Sequence, residues 1–497
     1  MASAITHRDE ETPLLIPDES PLQLEPHKSH SRDVHILSLA FLLIFLAYGA
    51  AQNLQSTLNT EEDLGTTSLG ILYLSLTFFS LFASLVVRIL GSKNALIIGT
   101  SGYLLYVAAN LKPNWYTLVP ASVYLGFCAS IIWVGQGTYL TSTARSHAIV
   151  NNLLEGAVIG DFNGEFWGVF ALNQLIGNLI TFALLSDGQG GSTKGTTLLF
   201  VVFLFVMTFG AILMCFLHKK RSGNSKEGYK HSEVDAGESE SLKSLCSSLT
   251  STFSDVKMLL IIPLIAYSGL QHAFAWAEFT KYVVTPAIGV SGVGIAMAAY
   301  GAFDGICSLA AGRLTSGLTS ITSIVSFGAF VQAVVLILLL LNFSISSGFL
   351  STLYILFLAA LLGISNGVLM TQLNALLGML FKHDMEGAFA QLKIWQSATI
   401  AIVFFVAPYI SFQAVIIVML VIQDMAKRYN CYRFLCGPIH FIPSSYHSHV
   451  GYTVLVILQF SMVGSQGGEC IITPPPVTEY NVSYNLSSLF YGRITSR

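Results

Sequence analysis

The hexapeptides AYGAAQ (residues 47–52) and AYSGLQ (residues 266–271) decide how this chain folds. A second pair, QGTYLT (136–141) and NGVLMT (366–371), recurs with nearly the same separation. A single match within apolar sequence carries little weight, but two matches at equivalent places indicate that the chain is built from two related halves. Parallel repeats of six membrane helices, with a cavity near the bilayer midplane between them, have this organisation.

The composition is that of a membrane protein. Of the 497 residues, 53% are hydrophobic and only 10% are charged, and the mean hydropathy is +0.66. Globular soluble domains carry about 25% charged residues. The formal net charge of −3 offers no basic surface for nucleic acid. The 7 cysteines in so long a chain make no disulfide framework.

Apolar runs long enough to cross a bilayer as helices, about 20 residues each, occur in two sets. The first set is 35–55, 67–88, 95–110, 118–140, 166–185 and 196–217, and the second is 258–281, 290–313, 321–341, 350–374 and 386–407. A twelfth run begins at Phe412 and loses its apolar character after Ile422, so the last helix is doubtful. The sequence therefore predicts an all-α membrane protein with about 11–12 transmembrane helices.

The predicted domains follow from these runs. They are a disordered cytosolic N-tail (1–33), an N-terminal six-helix bundle (34–217), a cytosolic linker (218–257), a C-terminal helix bundle (258–422) and an atypical C-terminal tail (423–497). Lys and Arg are concentrated in the N-tail, in the linker and after the second, eighth and tenth spans, whereas the alternate loops contain few. Because positive charge is retained on the cytosolic side, we expect the N terminus and the linker to be cytosolic.

Three stretches resemble signatures of the UNC-93 (uncoordinated-93) family. They are YGAAQNLQS (48–56), WVGQGTYLT (133–141), and YGAFDGIC (300–307) followed by GRL (312–314). The resemblance extends over about residues 33–420. It implies a multi-pass protein with the major facilitator superfamily fold, made of two six-helix halves. Animal relatives act as regulatory subunits of potassium channels or as trafficking chaperones, and plant relatives are linked to potassium balance.

Two glycine–cation pairs fit the turn that this superfamily places between helices. Gly312 and Arg313 after the eighth span fit this turn, and Gly91 and Lys93 after the second span fit it more weakly. Glycine permits helices to approach closely, and a cation interacts favourably with the carboxyl ends of neighbouring helices.

Charged residues inside a membrane span are costly and call for an explanation. Asp304 lies in the middle of the eighth span. It is either a carboxylate that faces the cavity and responds to protons or cations, or a structural acid hydrogen-bonded to a neighbouring helix. Lys393 in the eleventh span is expected to reach the interface with its long side chain, and a cation in the cavity wall is the alternative.

Most of the amide side chains lie on spans one, four, five, seven, ten and eleven, which are helices that line the cavity in this superfamily. The candidates are Gln52, Asn53, Gln136, Asn173, Gln174, Gln271, Asn366 and Gln396. Amides suit a small uncharged polar solute or weak coordination of a cation. The alternative is that they join helices to one another, at about 0.6 kcal/mol each.

The predicted tails carry processing and sorting motifs. Glu10, Leu14 and Leu15 form an acidic dileucine pattern, which directs proteins to vacuolar or endosomal membranes, and the plasma membrane is the other candidate. Asn481 and Asn485 in the C-terminal tail, and Asn342 in a short outer loop, lie in sequons for glycosylation.

The sequence contains no nucleotide-binding loop, nucleophile elbow or zinc-ligand spacing. We therefore expect no enzyme activity, no cofactor and no metal. Two functional hypotheses stand. The protein regulates or escorts a partner membrane protein such as an ion channel, or it is a secondary transporter that moves a small solute or ion.

Overall fold

The computed structural model describes residues 30–58, 64–185, 193–219, 255–341, 348–406 and 409–435. The first half contains α1 (His30–Leu58), α2 (Leu64–Leu90), α3 (Ser92–Ala109), α4 (Trp115–Val150), α5 (Glu155–Leu185) and α6 (Thr193–Cys215). The second half contains α7 (Val256–Ala273), α8 (Thr285–Arg313), α9 (Leu318–Leu340), α10 (Phe349–Leu380), α11 (Met385–Val406) and α12 (Phe412–Leu435). The structure confirms the predicted all-α architecture.

Helices α7 and α8 are joined without a loop. The π-helical stretch Phe274–Val284 continues α7 directly into the start of α8. Gly289 interrupts the helical backbone with φ +76°, and the next apolar span begins at Gly292. A positive φ is accessible to glycine at little cost, so this residue separates the seventh span from the eighth.

Large apolar side chains cover the outside of the bundle. Phe205, Phe330 and Phe405 are 77%, 65% and 61% exposed. In the part of the chain that the structure describes, 9 helices are long and apolar enough to cross a membrane. A surface this apolar is stable only when it faces lipid or protein.

The two halves pack their helices in the same pattern. In the first half α1 packs on α5 and α6, α2 packs on α4, and α3 packs on α4 and α6. In the second half α7 packs on α11 and α12, α8 on α10, and α9 on α10 and α12. Each pair is shifted by six helices, as the repeated hexapeptides predict. The halves meet mainly where α5 packs on α8 and where α2 packs on α11.

Facing glycines allow α5 and α8 to approach closely. A Cβ atom added at Gly164 would lie 2.7 Å from the Cα atom of Gly312, and one added at Gly168 would lie 3.1 Å from the carbonyl oxygen of Gly305. Two helices whose backbones touch in this way leave no room for side chains between them. The α5–α8 contact therefore fixes the distance between the two halves.

The last helix is longer than its apolar run. The sequence places the end of this helix near Ile422, but α12 continues to Leu435 and has 24 residues, about 36 Å of helix. Its apolar part ends at Asp424. The Gln423 side chain donates a hydrogen bond to the Ala329 carbonyl oxygen on α9. Helical hydrogen bonds need no apolar side chains, so apolar length alone underestimates the helix.

Candidate functional site

A cavity of about 360 Å³ lies between the two halves. Its volume falls within the range of small-molecule sites, about 300–1,000 Å³. Both halves contribute side chains: Phe45, Tyr48, Gln52, Tyr73, Trp133, Trp167, Phe170, Asn173 and Gln174 from the first half, and His272, Trp276, Met370, Lys393, Gln396 and Ser397 from the second.

The first-half wall of this cavity is aromatic. The Trp133 and Trp167 rings are stacked, with centroids 5.9 Å apart and an angle of 5° between their planes. Phe45 and Phe170 pack on Trp133 with centroid distances of 5.0 and 5.5 Å. Such packed rings hold one another in fixed orientations, so this wall presents a rigid apolar surface.

The second-half wall carries a buried cation. Lys393 is 8% exposed, and its Nζ atom lies 4.3 Å from the centroid of the Trp133 ring. The same Nζ donates a hydrogen bond of 3.0 Å to Oε1 of Gln396, whose Nε2 donates in turn to Oγ of Ser268 at 3.0 Å. The expectation that Lys393 extends to the membrane–water interface is wrong. The face of Trp133 and the amide oxygen of Gln396 hold its amine at the cavity.

The predicted amides separate into two groups. Gln52, Asn173, Gln174 and Gln396 line the cavity. Gln136, Gln271 and Asn366 are buried away from it, at 1%, 1% and 5% exposure.

Two of the amides that lie away from the cavity, Gln271 and Asn366, make contacts within the second half. Nε2 of Gln271 donates to Oε1 of Gln332 at 3.2 Å and to Oγ of Ser365 at 3.1 Å.

The side chain of Asn53 lies outside the described residues. So do the sorting and glycosylation candidates Glu10, Leu14, Leu15, Asn342, Asn481 and Asn485.

Asp304 lies between α8 and α10 and does not line the cavity. Its Oδ2 atom accepts a hydrogen bond of 2.8 Å from Nδ2 of Asn366, and its Oδ1 atom accepts one of 3.2 Å from Oγ of Ser308. A Cβ atom added at Gly367 would lie 2.8 Å from Oδ1. These are the contacts of an acid that joins two helices, and a response of Asp304 to protons or cations stays a prediction.

The glycine–cation pairs lie at the end of the bundle where α2, α4, α8 and α10 finish, which we call the basic end. Gly91 precedes α3 with φ +77°. Nζ of Lys93 donates to the carbonyl oxygen of Cys215, the last residue of α6, at 2.9 Å. Arg313 is exposed and interacts electrostatically with Asp161 of α5.

Ionic contacts join the two halves at the basic end. Nη2 of Arg145 on α4 donates to the carbonyl oxygen of Gly378 on α10 at 2.6 Å, and Nε donates to Oε1 of Glu155 at 3.1 Å. Nζ of Lys382 donates to Oε2 of the same carboxylate at 2.8 Å. Arg88 pairs with Asp384 nearby. Although burial opposes ionisation, Lys382 and Arg145 hold the pKa of Glu155 below its usual value.

Sequence reasoning missed this contact between the halves. Arg145 follows the fourth apolar run, where a cation is expected at the membrane surface, and its partners are more than 200 residues away in the second half. The one local signal was the acid Glu155, 10 residues further along the chain. Among the described residues, no three His, Cys, Asp or Glu side chains are grouped as metal ligands.

The family model described as "Ion channel regulatory protein UNC-93" matches residues 57–427. This chain belongs to the UNC-93 family. The UNC93-like protein 3 of Arabidopsis thaliana is 63% identical over 419 residues, which cover 84% of this chain and 89% of that protein. The "Putative potassium channel regulatory protein unc-93" of Caenorhabditis elegans is 28% identical over 409 residues, 74% of this chain and 56% of that protein.

Solved structures share the fold of this UNC-93 family member. The fucose:proton symporter FucP of Escherichia coli aligns with a TM-score of 0.59 at 12% identity, over 82% of this chain and 99% of FucP. A second FucP structure, described as a Major Facilitator Superfamily transporter in the outward conformation, aligns with a TM-score of 0.57. At this identity the likeness shows the fold alone. The protein is thus a multi-pass integral membrane protein with the fold of these transporters.

Proposed function

We propose that this UNC-93 protein regulates or escorts a partner membrane protein, such as a potassium channel, and thereby contributes to ion homeostasis. The observation that carries the proposal is the match of residues 57–427 to a family described as ion channel regulators. The sparse charge within the bundle supports it. A proton-driven symporter generally uses a buried acid along its solute path. Asp304 is engaged with Asn366 and lies outside the cavity, and the described residues that line the cavity include the bases Lys393 and His272 but no carboxylate.

The orientation and the membrane belong to the same proposal. The basic end carries Arg88, Arg145, Arg313 and Lys382, and cytosolic loops are enriched in Lys and Arg. Helix α1 begins at this end, and the N terminus is therefore cytosolic in this proposal. The protein resides in a vacuolar or endosomal membrane or in the plasma membrane, and it catalyses no chemical reaction.

The cavity supports a second candidate function. Walls from both halves, and ionic contacts that join them at one end, suit a secondary transporter that moves a small solute or ion by alternating access. In that case the cavity would bind the solute, and separation of Arg145 from Gly378 would open the basic end.

Co-expression distinguishes the two functions. The full chain is expressed in oocytes with each of a panel of potassium channels, and the current and the surface abundance of each channel are measured. An unrelated twelve-helix membrane protein at the same expression level is the control. Purified protein in vesicles is tested in parallel for uptake of rubidium and of small solutes. A changed current without uptake supports the regulator, and uptake with unchanged currents supports the transporter.

A further inference from the structure

The cation in the central cavity has no charged partner in the described part of the chain. Lys393 is 8% exposed, yet none of the ion pairs among the described residues includes it. His272, the other basic group on the cavity wall, adds no negative charge, and its Nδ1 atom is engaged with the carbonyl oxygen of Ser268 at 2.7 Å. A buried ion needs a counter-charge or dense hydrogen bonding to offset its loss of hydration.

The protein satisfies this amine only in part. An ammonium group has three N–H donors. One donates to Oε1 of Gln396 at 3.0 Å, and the face of Trp133 lies 4.3 Å away. A cation is attracted to the face of an aromatic ring, but this attraction does not replace an anionic partner. The Lys393 amine can therefore donate a hydrogen bond to at least one further strong acceptor in the cavity.

The rest of the cavity wall indicates the size and polarity of the molecule to which this acceptor group would belong. Trp133, Trp167 and Phe170 form one apolar aromatic surface. Nε1 of Trp167, a residue that is 6% exposed, has no hydrogen-bond acceptor among the described residues. The cavity volume of about 360 Å³ equals about twelve water molecules at about 30 Å³ each, so a body of one or two rings fits.

We infer that the central cavity binds a small organic anion, a carboxylate with an aromatic or similarly apolar body, whose charge pairs with Lys393. The carboxylate accepts hydrogen bonds from Nζ, and the ring system packs on Trp133 and Trp167. The same charge disfavours a potassium ion in the cavity, because two cations repel at short range. The amides Gln52, Asn173 and Gln174 then serve as polar contacts for the anion.

The inference goes beyond the proposed function and is independent of it. The anion would bind whether it is carried across the membrane or acts as a ligand of a regulatory protein. Its test is therefore a binding measurement, which can succeed or fail without any change in channel currents or in uptake.

Isothermal titration calorimetry of the purified full chain in detergent tests the inference with three probes of one shape. They are 1-naphthoate, its neutral analogue 1-naphthamide and the cation 1-naphthylmethylammonium. We expect 1-naphthoate to bind at least tenfold more tightly than 1-naphthamide, and the cation to bind more weakly still. Equal affinities for the acid and the amide, or tighter binding of the cation, would overturn the inference.

Three variants assign the charge to one residue. Lys393→Met should weaken binding of 1-naphthoate at least tenfold and leave binding of 1-naphthamide unchanged, whereas Lys393→Arg should retain the preference for the acid. Lys281→Met is the matched control, because Lys281 also has its Nζ near a ring, 4.8 Å from the centroid of Tyr282, but is exposed and outside the cavity. A folded Lys393→Met protein that binds the acid as tightly as the parent would refute the assignment. If this variant fails to fold, the comparison of probes on the parent protein decides.

Discussion

Substitution of Gly164 with alanine, which adds one methyl group, tests the contact between the two halves. In Gly164→Ala the new Cβ atom would lie 2.7 Å from the Cα atom of Gly312 and 2.9 Å from the carbonyl oxygen of Ser308. Carbon atoms pack at about 3.5–4.0 Å, so α5 and α8 must separate by about 1 Å. Overpacking of this kind costs about 1–3 kcal/mol. Against this, alanine gains about 1 kcal/mol over glycine within a helix.

A second glycine separates these two effects. Gly70 lies inside α2, and a Cβ atom added there would meet no heavy atom within 4 Å. Gly70→Ala therefore receives the gain in helix propensity without the steric cost. We expect the free energy of unfolding of Gly164→Ala to be about 1–3 kcal/mol below that of Gly70→Ala, measured by thermal unfolding of both purified proteins in the same detergent. Equal unfolding temperatures would show that α5 and α8 do not touch at these glycines.

Three further predictions concern the basic end and Asp304. Arg145→Met removes the charge-assisted hydrogen bond to Gly378, worth about 1.5–3 kcal/mol. The reporter is Thr141→Cys, a buried position that packs against Gly378, and Arg145→Met should raise the rate at which a maleimide labels this cysteine at least tenfold. An unchanged labelling rate would contradict the contact. The depressed pKa of Glu155 stabilises the fold above the ordinary carboxyl pKa of about 4.3 and does so less as the pH falls through the lower folded value. The difference in unfolding temperature between the parent and Glu155→Gln should therefore stay constant from about pH 8 to pH 5 and shrink below about pH 4. Asp304→Leu leaves buried donors without acceptors and should cost about 1–3 kcal/mol, whereas Asp304→Asn should cost less in the same unfolding assay.

The sequence predicts most of the fold because apolar length and repeated motifs are local properties. It fails at helix ends. The fourth apolar run stops near residue 140, yet α4 continues to Val150, and α12 continues past Ile422 to Leu435. Polar residues beyond the bilayer keep helical hydrogen bonds, so hydropathy does not mark where a helix stops.

The site is less predictable because it depends on how each helix is rotated. Gln136 and Gln174 have the same chemistry, but only Gln174 reaches the cavity. Lys393 is held by Trp133, a residue 260 positions earlier in the chain on α4. A single sequence states which residues are polar, whereas the packing of the two halves decides which of them face one another.

The join between α7 and α8 has a mechanical consequence. From Val256 to Arg313 the backbone has no connecting loop, and Gly289 is its one residue with positive φ among the described positions. A rotation of α7 is therefore transmitted to α8 through the π-helical turns. Gly289, where the helical backbone is interrupted, has the conformational freedom to absorb part of it. The π-helical turns close hydrogen bonds one residue further along than an α-helix does. A helical-wheel projection drawn at 3.6 residues per turn therefore places the side chains between Phe274 and Val284 on the wrong face of the helix.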